Sequence, residues 1–313
     1  MRYRIASRLA PTGMEGALCI TRKGKTLSRS ISTLAGMRRR IDGGTLFGPT
    51  PRAQWAEWMT PDHDNSVEIC ARVLLVQQPG RNILVMAGAD NLLASPPRSC
   101  RCQPRTRGLL DSLEQRGLDE KDIDSVVLTH VQTHLSQEMN ERISEGEMPR
   151  LLFAQAQYFC GASHWQRARH PHPLDRDLFV QALVRRLEHS GRLILIDAHR
   201  CDSLGEGWSF HTSDGFTPGQ LLPQIELPGG PLIFCGDLIP GTPWLDLEVT
   251  SGRDRNAERV VDEKEHLLDH LVANRGRLFF ARDPQVAMTR IMRDRRSRYV
   301  PFDHYHTLNR FEG

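Results

Sequence analysis

Ser125-Val-Val-Leu-Thr-His-Val-Gln-Thr-His-Leu135 is the stretch on which the reading of the fold turns. Asp122-Ile-Asp leads into it, and Ser125 to Thr129 reads as a short buried strand that ends at His130. Upstream, Leu109 to Gly117 is helical by spacing, with Leu109, Leu110 and Leu113 on one face. Before that, Glu68 to Val76 reads as a strand, Pro79-Gly80-Arg81-Asn82 as a turn, and Ile83 to Met86 as the second arm of a hairpin. Downstream, Phe179 to His189 is an amphipathic helix stopped by Gly191, and Leu193 to Ile196 is the next strand. Pro231 to Cys235 is another strand, ending at Gly236-Asp237. Asn256 to Asn274 is a long helix, and Leu278 to Phe280 a last strand ending at Arg282-Asp283. Strands alternate with helices, and polar residues gather at strand ends. That pattern suits an α/β layered domain with its site on the strand-end loops.

Composition narrows the class. Apolar residues are 39% and charged residues 25% of 313, ordinary for a globular protein. A net charge of +3 is too small to argue for nucleic acid. Residues 1 to 52 hold eleven Lys and Arg against Glu15 and Asp42, and residues 1 to 42 read as a basic, irregular N-terminal arm. No apolar stretch approaches a membrane span, and residues 1 to 20 contain no continuous apolar signal region. The seven cysteines are irregularly spaced, which favours a reducing, cytoplasmic setting. Cys100-x-Cys102 is a weak metal or redox pair.

Four ordered segments resemble the metallo-β-lactamase superfamily. The Ser125–Leu135 stretch resembles the strand feeding that family's H-x-H-x-D-H motif, and Asp214-Gly-Phe-Thr-Pro-Gly-Gln220 resembles its G-H-T-P-G segment. Phe234 to Pro240 is similar to the strand ending in Gly-Asp, and Leu278 to Pro284 to the one ending in His-Asp-Pro. Gly43 to Gly48 with Trp55, and Ser163-His-Trp165 with Pro171, resemble one bacterial branch. The resemblance implies a four-layer αββα sandwich over residues 43–313, with residues 1–42 as an extension.

Members of the family hold zinc or iron with His and Asp, because the metal lowers the pKa of bound water and polarises the substrate. Position by position, the resemblance keeps His130 and Asp237. It puts Gln132, His134, Leu135, Phe216 and Arg282 where the family has other ligands. Met86, Trp244 and Arg253-Asp254 also depart from the family pattern. Leu and Phe donate nothing, and Arg is a fixed cation. The expectation is therefore a degenerate centre that needs no metal or other cofactor, in which Arg282 offsets the charge of Asp237 through a bidentate pair.

Asp237, Asp214, His130, His134 and Arg282 are the candidate catalytic residues, joined in the same cleft by Asp283. Gln132, Leu135, Phe216 and Trp244 are the candidates for substrate binding. Together they point to a metal-independent, hydrolase-like enzyme acting on a small organic molecule. One alternative is a non-catalytic ligand-binding or regulatory pseudoenzyme. A second is a mononuclear metallohydrolase using His130, His134 and Asp237, with Asp214 as fourth ligand. The expected partner is a small molecule, with no membrane or nucleic acid, and a homodimer is left open. His164, His170, His172, His211, His304 and His306 have no assigned place.

Overall fold

The computed structural model describes residues 4–5, 28–36, 38–92, 107–133, 140 and 150–313. In chain order the first strands are β1 (Arg4–Ile5), β2 (Ser30–Leu34), β3 (Arg38–Asp42), β4 (Ser66–Cys70), β5 (Val73–Gln78), β6 (Arg81–Met86), β7 (Ser125–Leu128), β8 (Gln157–Gly161) and β9 (Leu193–Ile196). They are followed by β10 (Trp208–Ser213), β11 (Gln220–Ile225), β12 (Leu232–Phe234), β13 (Arg277–Phe279), β14 (Met288–Arg293) and β15 (Tyr299–Tyr305). The helices are α1 (Gly43–Phe47), α2 (Arg52–Trp58), α3 (Arg107–Glu114), α4 (Ala162–Arg169), α5 (Gln181–His189) and α6 (Ala257–Ala273).

One sheet has seven strands in the order β1-β9-β8-β7-β6-β5-β2, with β6 to β9 parallel neighbours. The other has six, β10 through β15 in sequence order, antiparallel except for the β12–β13 pair. A small two-stranded sheet joins β3 to β4.

Side-chain alternation along the strands builds the layers. Val73, Leu75, Leu84, Met86, Val126 and Leu128 pack outward with Leu109 and Leu113 of α3, Trp165 of α4, and Leu183 and Leu187 of α5. Their neighbours Leu74, Val76, Ile83, Val85 and Val127 point the other way, onto Phe210, Leu221, Leu232, Phe234 and Phe279 of the six-stranded sheet. The outer face of that sheet, with Leu222, Ile233 and Leu278, carries Val260, Leu267, Leu268 and Leu271 of α6 and the Phe47 and Trp55 rings. Both faces of each central strand are covered, which is why those strands read as unbroken apolar runs. The order helix, sheet, sheet, helix is the αββα sandwich that the resemblance implies.

Two sequence expectations need correction. Glu68 to Val76 is two strands, not one. The chain leaves β4 at Ala71-Arg72 and enters the seven-stranded sheet at Val73. The break is held by backbone bonds to the end of β13, from Cys70 N to Arg282 O and from Arg72 N to Ala281 O. Residues 30–42 are not an irregular arm. β2 is the edge partner of β5, with Ile31 and Leu34 fully buried, and β3 pairs with β4. Residues 6–27 of that arm, and Cys100 and Cys102, lie outside the described residues. The described cysteines, Cys70, Cys160, Cys201 and Cys235, are free and buried, and burial pushes the Cys160 thiol up to about 12.

Candidate functional site

The ends of β6, β7, β12 and β13 meet on one rim of the sandwich. Beyond β7 come Thr129 and His130; beyond β12, Gly236 and Asp237; beyond β13, Arg282 and Asp283. The backbone ties these ends together, from Thr129 N to Met86 O and from Leu221 N to Thr129 O. Two glycines permit the approach. Gly236 has φ +56°, and a Cβ there would lie 2.5 Å from Gln220 Nε2. Gly88 has φ +79°, and a Cβ there would lie 2.8 Å from Gln132 O and 3.2 Å from His130 Nε2.

At the centre Arg282 grips Asp237 with a two-pronged fork. Its Nε donates to Oδ1 at 2.7 Å and its Nη2 to Oδ2 at 3.0 Å, and Nη2 also donates to Ala87 O at 3.0 Å. His130 Nε2 stands 3.2 Å from Asp237 Oδ2, and its Nδ1 lies 2.8 Å from Thr129 Oγ1. One tautomer serves both contacts: Nε2–H donates to the carboxylate and Nδ1 accepts from the threonine hydroxyl. Arg282 Nη1 faces Asp90 Oδ2 at 3.8 Å, and Thr133 Oγ1 donates to Asp90 Oδ1 at 2.6 Å. All these side chains are buried.

Burial works against the charge on Asp237. The Arg282 charge and its hydrogen bonds, with the hydrogen bond from His130, outweigh that and hold the carboxyl well below the usual carboxylate range. Burial likewise opposes the charge on Arg282, but Asp237, with Asp90 behind it, raises the guanidinium above its ordinary value. Each ion is tolerated because the other is present.

The remaining candidates are scattered. Asp214 sits in a turn, where it accepts from Gly219 N and pairs with Arg259 at 2.6 Å. Among the described residues it shares no hydrogen bond with His130, Asp237 or Arg282. Asp283 is spent on loop contacts, accepting from Thr242 in the segment after β12 and from Gln285 and Val286 in its own loop. Phe216 places its ring edge-on to His130, with centroids 5.5 Å apart. Gln132 is buried beside Gly88. Trp244 stacks at 4.6 Å on Phe47, in the core beneath the six-stranded sheet. His134 and Leu135 lie outside the described residues.

Three participants were missed in the sequence. His164, on α4, accepts from Val131 N at 2.9 Å and contacts Pro218 O through Nδ1. Burial, with the neighbouring His130, drives its pKa down to about 3. It buttresses the loop after β7. Asp90 and Thr133 carry no motif signal and become visible only once the strand ends are assembled.

The residues present do not fit the metal ions that the family resemblance implies. Of the ligand positions, His130 and Asp237 are adjacent, but both oxygens of Asp237 already accept from a guanidinium, whose charge repels a cation. Among the described residues no three His, Cys, Asp or Glu side chains gather into a metal-holding group.

No protein-family model and no curated protein sequence matches the chain. Solved structures do. A probable metal-dependent hydrolase from Staphylococcus aureus superposes with a TM-score of 0.70 at 20% identity, over 90% of this chain and 99% of that one. The hydrolase AbOPH of the β-lactamase superfamily gives 0.69 at 15% identity, over 90% and 96%. AidC, a dizinc quorum-quenching lactonase with N-hexanoyl-L-homoserine bound, gives 0.66 at 16% identity, over 91% and 97%. With two facing sheets, helices on both outer sides and these neighbours along nearly its whole length, the chain has the metallo-β-lactamase fold.

Proposed function

We propose that this protein binds a small organic molecule without metal and without turning it over, at the rim where its fold relatives hold metal. The observation that carries this reading is the buried fork from Arg282 to both oxygens of Asp237. A carboxylate held in that way and kept strongly acidic is a poor metal bridge and a poor proton acceptor. His130 is likewise committed at both ring nitrogens. Asp214, the other candidate base, is engaged with Arg259 elsewhere. The N-hexanoyl-L-homoserine bound by the neighbour AidC suggests the size and class of molecule that such a rim receives.

Protein produced with added zinc and iron is expected to carry near-zero metal, and to bind without consuming a panel of esters, lactones and N-acyl amino acids. About one tightly held ion per chain would sink the metal-free reading. A second reading, acid–base hydrolysis without metal, is favoured by one contact, the carboxylate orientation of His130 at 3.2 Å. Turnover by metal-free protein, lost in His130→Ala, selects it over pure binding.

A further inference from the structure

Positive charge gathers around the Arg282–Asp237 pair. β3 and the loop before α6 each bring one more arginine to it. Arg39 lies opposite Ile69 in the β3–β4 pair, and the next residue, Cys70, donates its N–H to Arg282 O. Arg253 sits in a loop stitched to the Asp214–Phe216 turn by bonds from Arg255 N to Phe216 O and from Asn256 N to Gly215 O. That turn lays the Phe216 ring on His130. Arg39 is within electrostatic range of Arg253, Arg282, Asp90 and Asp237, and Arg253 of Arg282, Asp90 and Asp237.

Among the described residues three guanidiniums thus gather on Asp237 and Asp90, with Asp254 also in range of Asp237, and Arg282 takes both oxygens of Asp237. Arg39 and Arg253 are partly buried, and neither forms an ion pair among the described residues. Arg39 Nε is buried without a hydrogen-bond partner, and Nη1 of Arg282, a residue only 3% exposed, makes no hydrogen bond and stands 3.8 Å from Asp90 Oδ2. Leaving charged donors buried and unmatched is costly. Burial, aggravated by the neighbouring guanidinium charges, lowers Arg39 to about 10 and lowers Arg253 as well. The cluster is under stress that a bound negative charge would relieve.

We infer that Arg39 and Arg253, beside the Nη1 edge of Arg282, form an oxyanion site, and that the natural ligand is a small organic carboxylate or phosphate monoester with an apolar portion against Phe216. A guanidinium fork matches either oxyanion, and Phe216 supplies an apolar surface. This rests on the ligand-binding reading above and supplies its chemical class.

The test is calorimetric titration of the full chain at low salt with three probes: hexanoate, inorganic phosphate, and the neutral N-hexanoyl homoserine lactone. The expected result is saturable binding of hexanoate or phosphate, the stronger of the two identifying the source, at least tenfold tighter than the lactone. Arg39→Gln and Arg253→Gln should each weaken that binding at least tenfold, and Arg39→Lys less than Arg39→Gln. Circular dichroism of each variant establishes that it is folded, and neither residue belongs to the Asp237 fork. Absence of saturable anion binding overturns the site, and so does anion binding unchanged in the Arg39→Gln/Arg253→Gln double variant. If the lactone alone binds without turnover, the anion site fails and the binding reading survives. If an anion binds as expected but the protein turns over an ester, the site stands and the binding-only reading fails.

Discussion

Arg282 and Asp237 are buried together as a two-pronged ion pair, which makes the two residues dependent on each other. Arg282→Met leaves the Asp237 carboxylate buried and unpaired, and is expected to cost about 3–5 kcal/mol of stability by urea denaturation. The paired variant Arg282→Met/Asp237→Leu removes both charges and should recover most of that loss, because an apolar pair of similar volume replaces a buried ion pair at little net cost. Equal instability of the single and double variants would refute the coupling. The fork was legible in the sequence through the resemblance, since two strand-end positions that share an ion in the family must lie together. Asp254 was not legible as a titrating group. Burial, only partly offset by a hydrogen bond from Ser251 N and the charge of Lys264, lifts its pKa to about 7. Between the ordinary carboxylate pKa of 3.8 and 7 the folded state therefore binds the proton that the unfolded state releases. Stability from this group is full below that window and falls as pH rises through it, by on the order of 4 kcal/mol. Asp254→Asn should flatten the decline between pH 4 and pH 7 in a series of denaturant melts.

At the scale of elements, helix ends and single strands were readable, and a strand that changes sheets was not. The sequence places a helix over Asn256 to Asn274, and α6 fills Ala257–Ala273 because Asn256 accepts from Arg259 N at one end and Asn274 closes the other. Glu68 to Val76 carries no glycine or proline at its break, so local pattern gives no sign of the switch at Ala71-Arg72. That switch is set by partners more than two hundred residues away, at Ala281 and Arg282. Another long-range tie leaves from the middle of α6. The Lys264 ammonium is fully buried, and burial lowers it to about 8 against the raising charges of Asp246 and Asp254. It donates to the carbonyls of Asp246, Leu247 and Val249 at 2.6, 3.1 and 2.9 Å. These bonds pin the loop after Trp244 to the helix. Lys264→Met keeps the stem packing and strands three carbonyls, so it should lose about 2–4 kcal/mol and increase amide exchange across residues 246–249. Exchange unchanged in that loop would show that the lysine does not hold it.

For the molecule as a whole, closure of the sandwich depends on the segment before residue 43 as much as on the C-terminal end. Ser30 to Leu34 of β2 pairs residue for residue with Gln77 to Val73 of β5, and Ile31 also bridges to Phe311 near the other end of the chain. Thr33 Oγ1 both donates to Leu308 O and accepts from Leu308 N. Arg29 is buried between the sheets' ends, donating to Gln78 of β5 and to the carbonyls of Glu206 and Glu226 that flank β10 and β11. By composition this region is merely basic; its burial depends on partners supplied by both sheets and by the C-terminal segment. Two truncations separate the roles. A chain beginning at residue 28 retains Arg29, β2 and β3 and, among the described residues, loses the two-residue pairing of β1 with β9. It is expected to melt cooperatively, with Tm lower by about 2–4 °C if that pairing contributes roughly 1 kcal/mol. A chain beginning at Gly43 exposes the whole edge of β5, opens the inner core at Ile31 and frees Leu308 to Phe311. It should lose the cooperative melt and associate through the uncovered edge. A cooperative, monomeric melt for the shorter chain would mean that residues 30–42 are appended to the sandwich and do not help to close it.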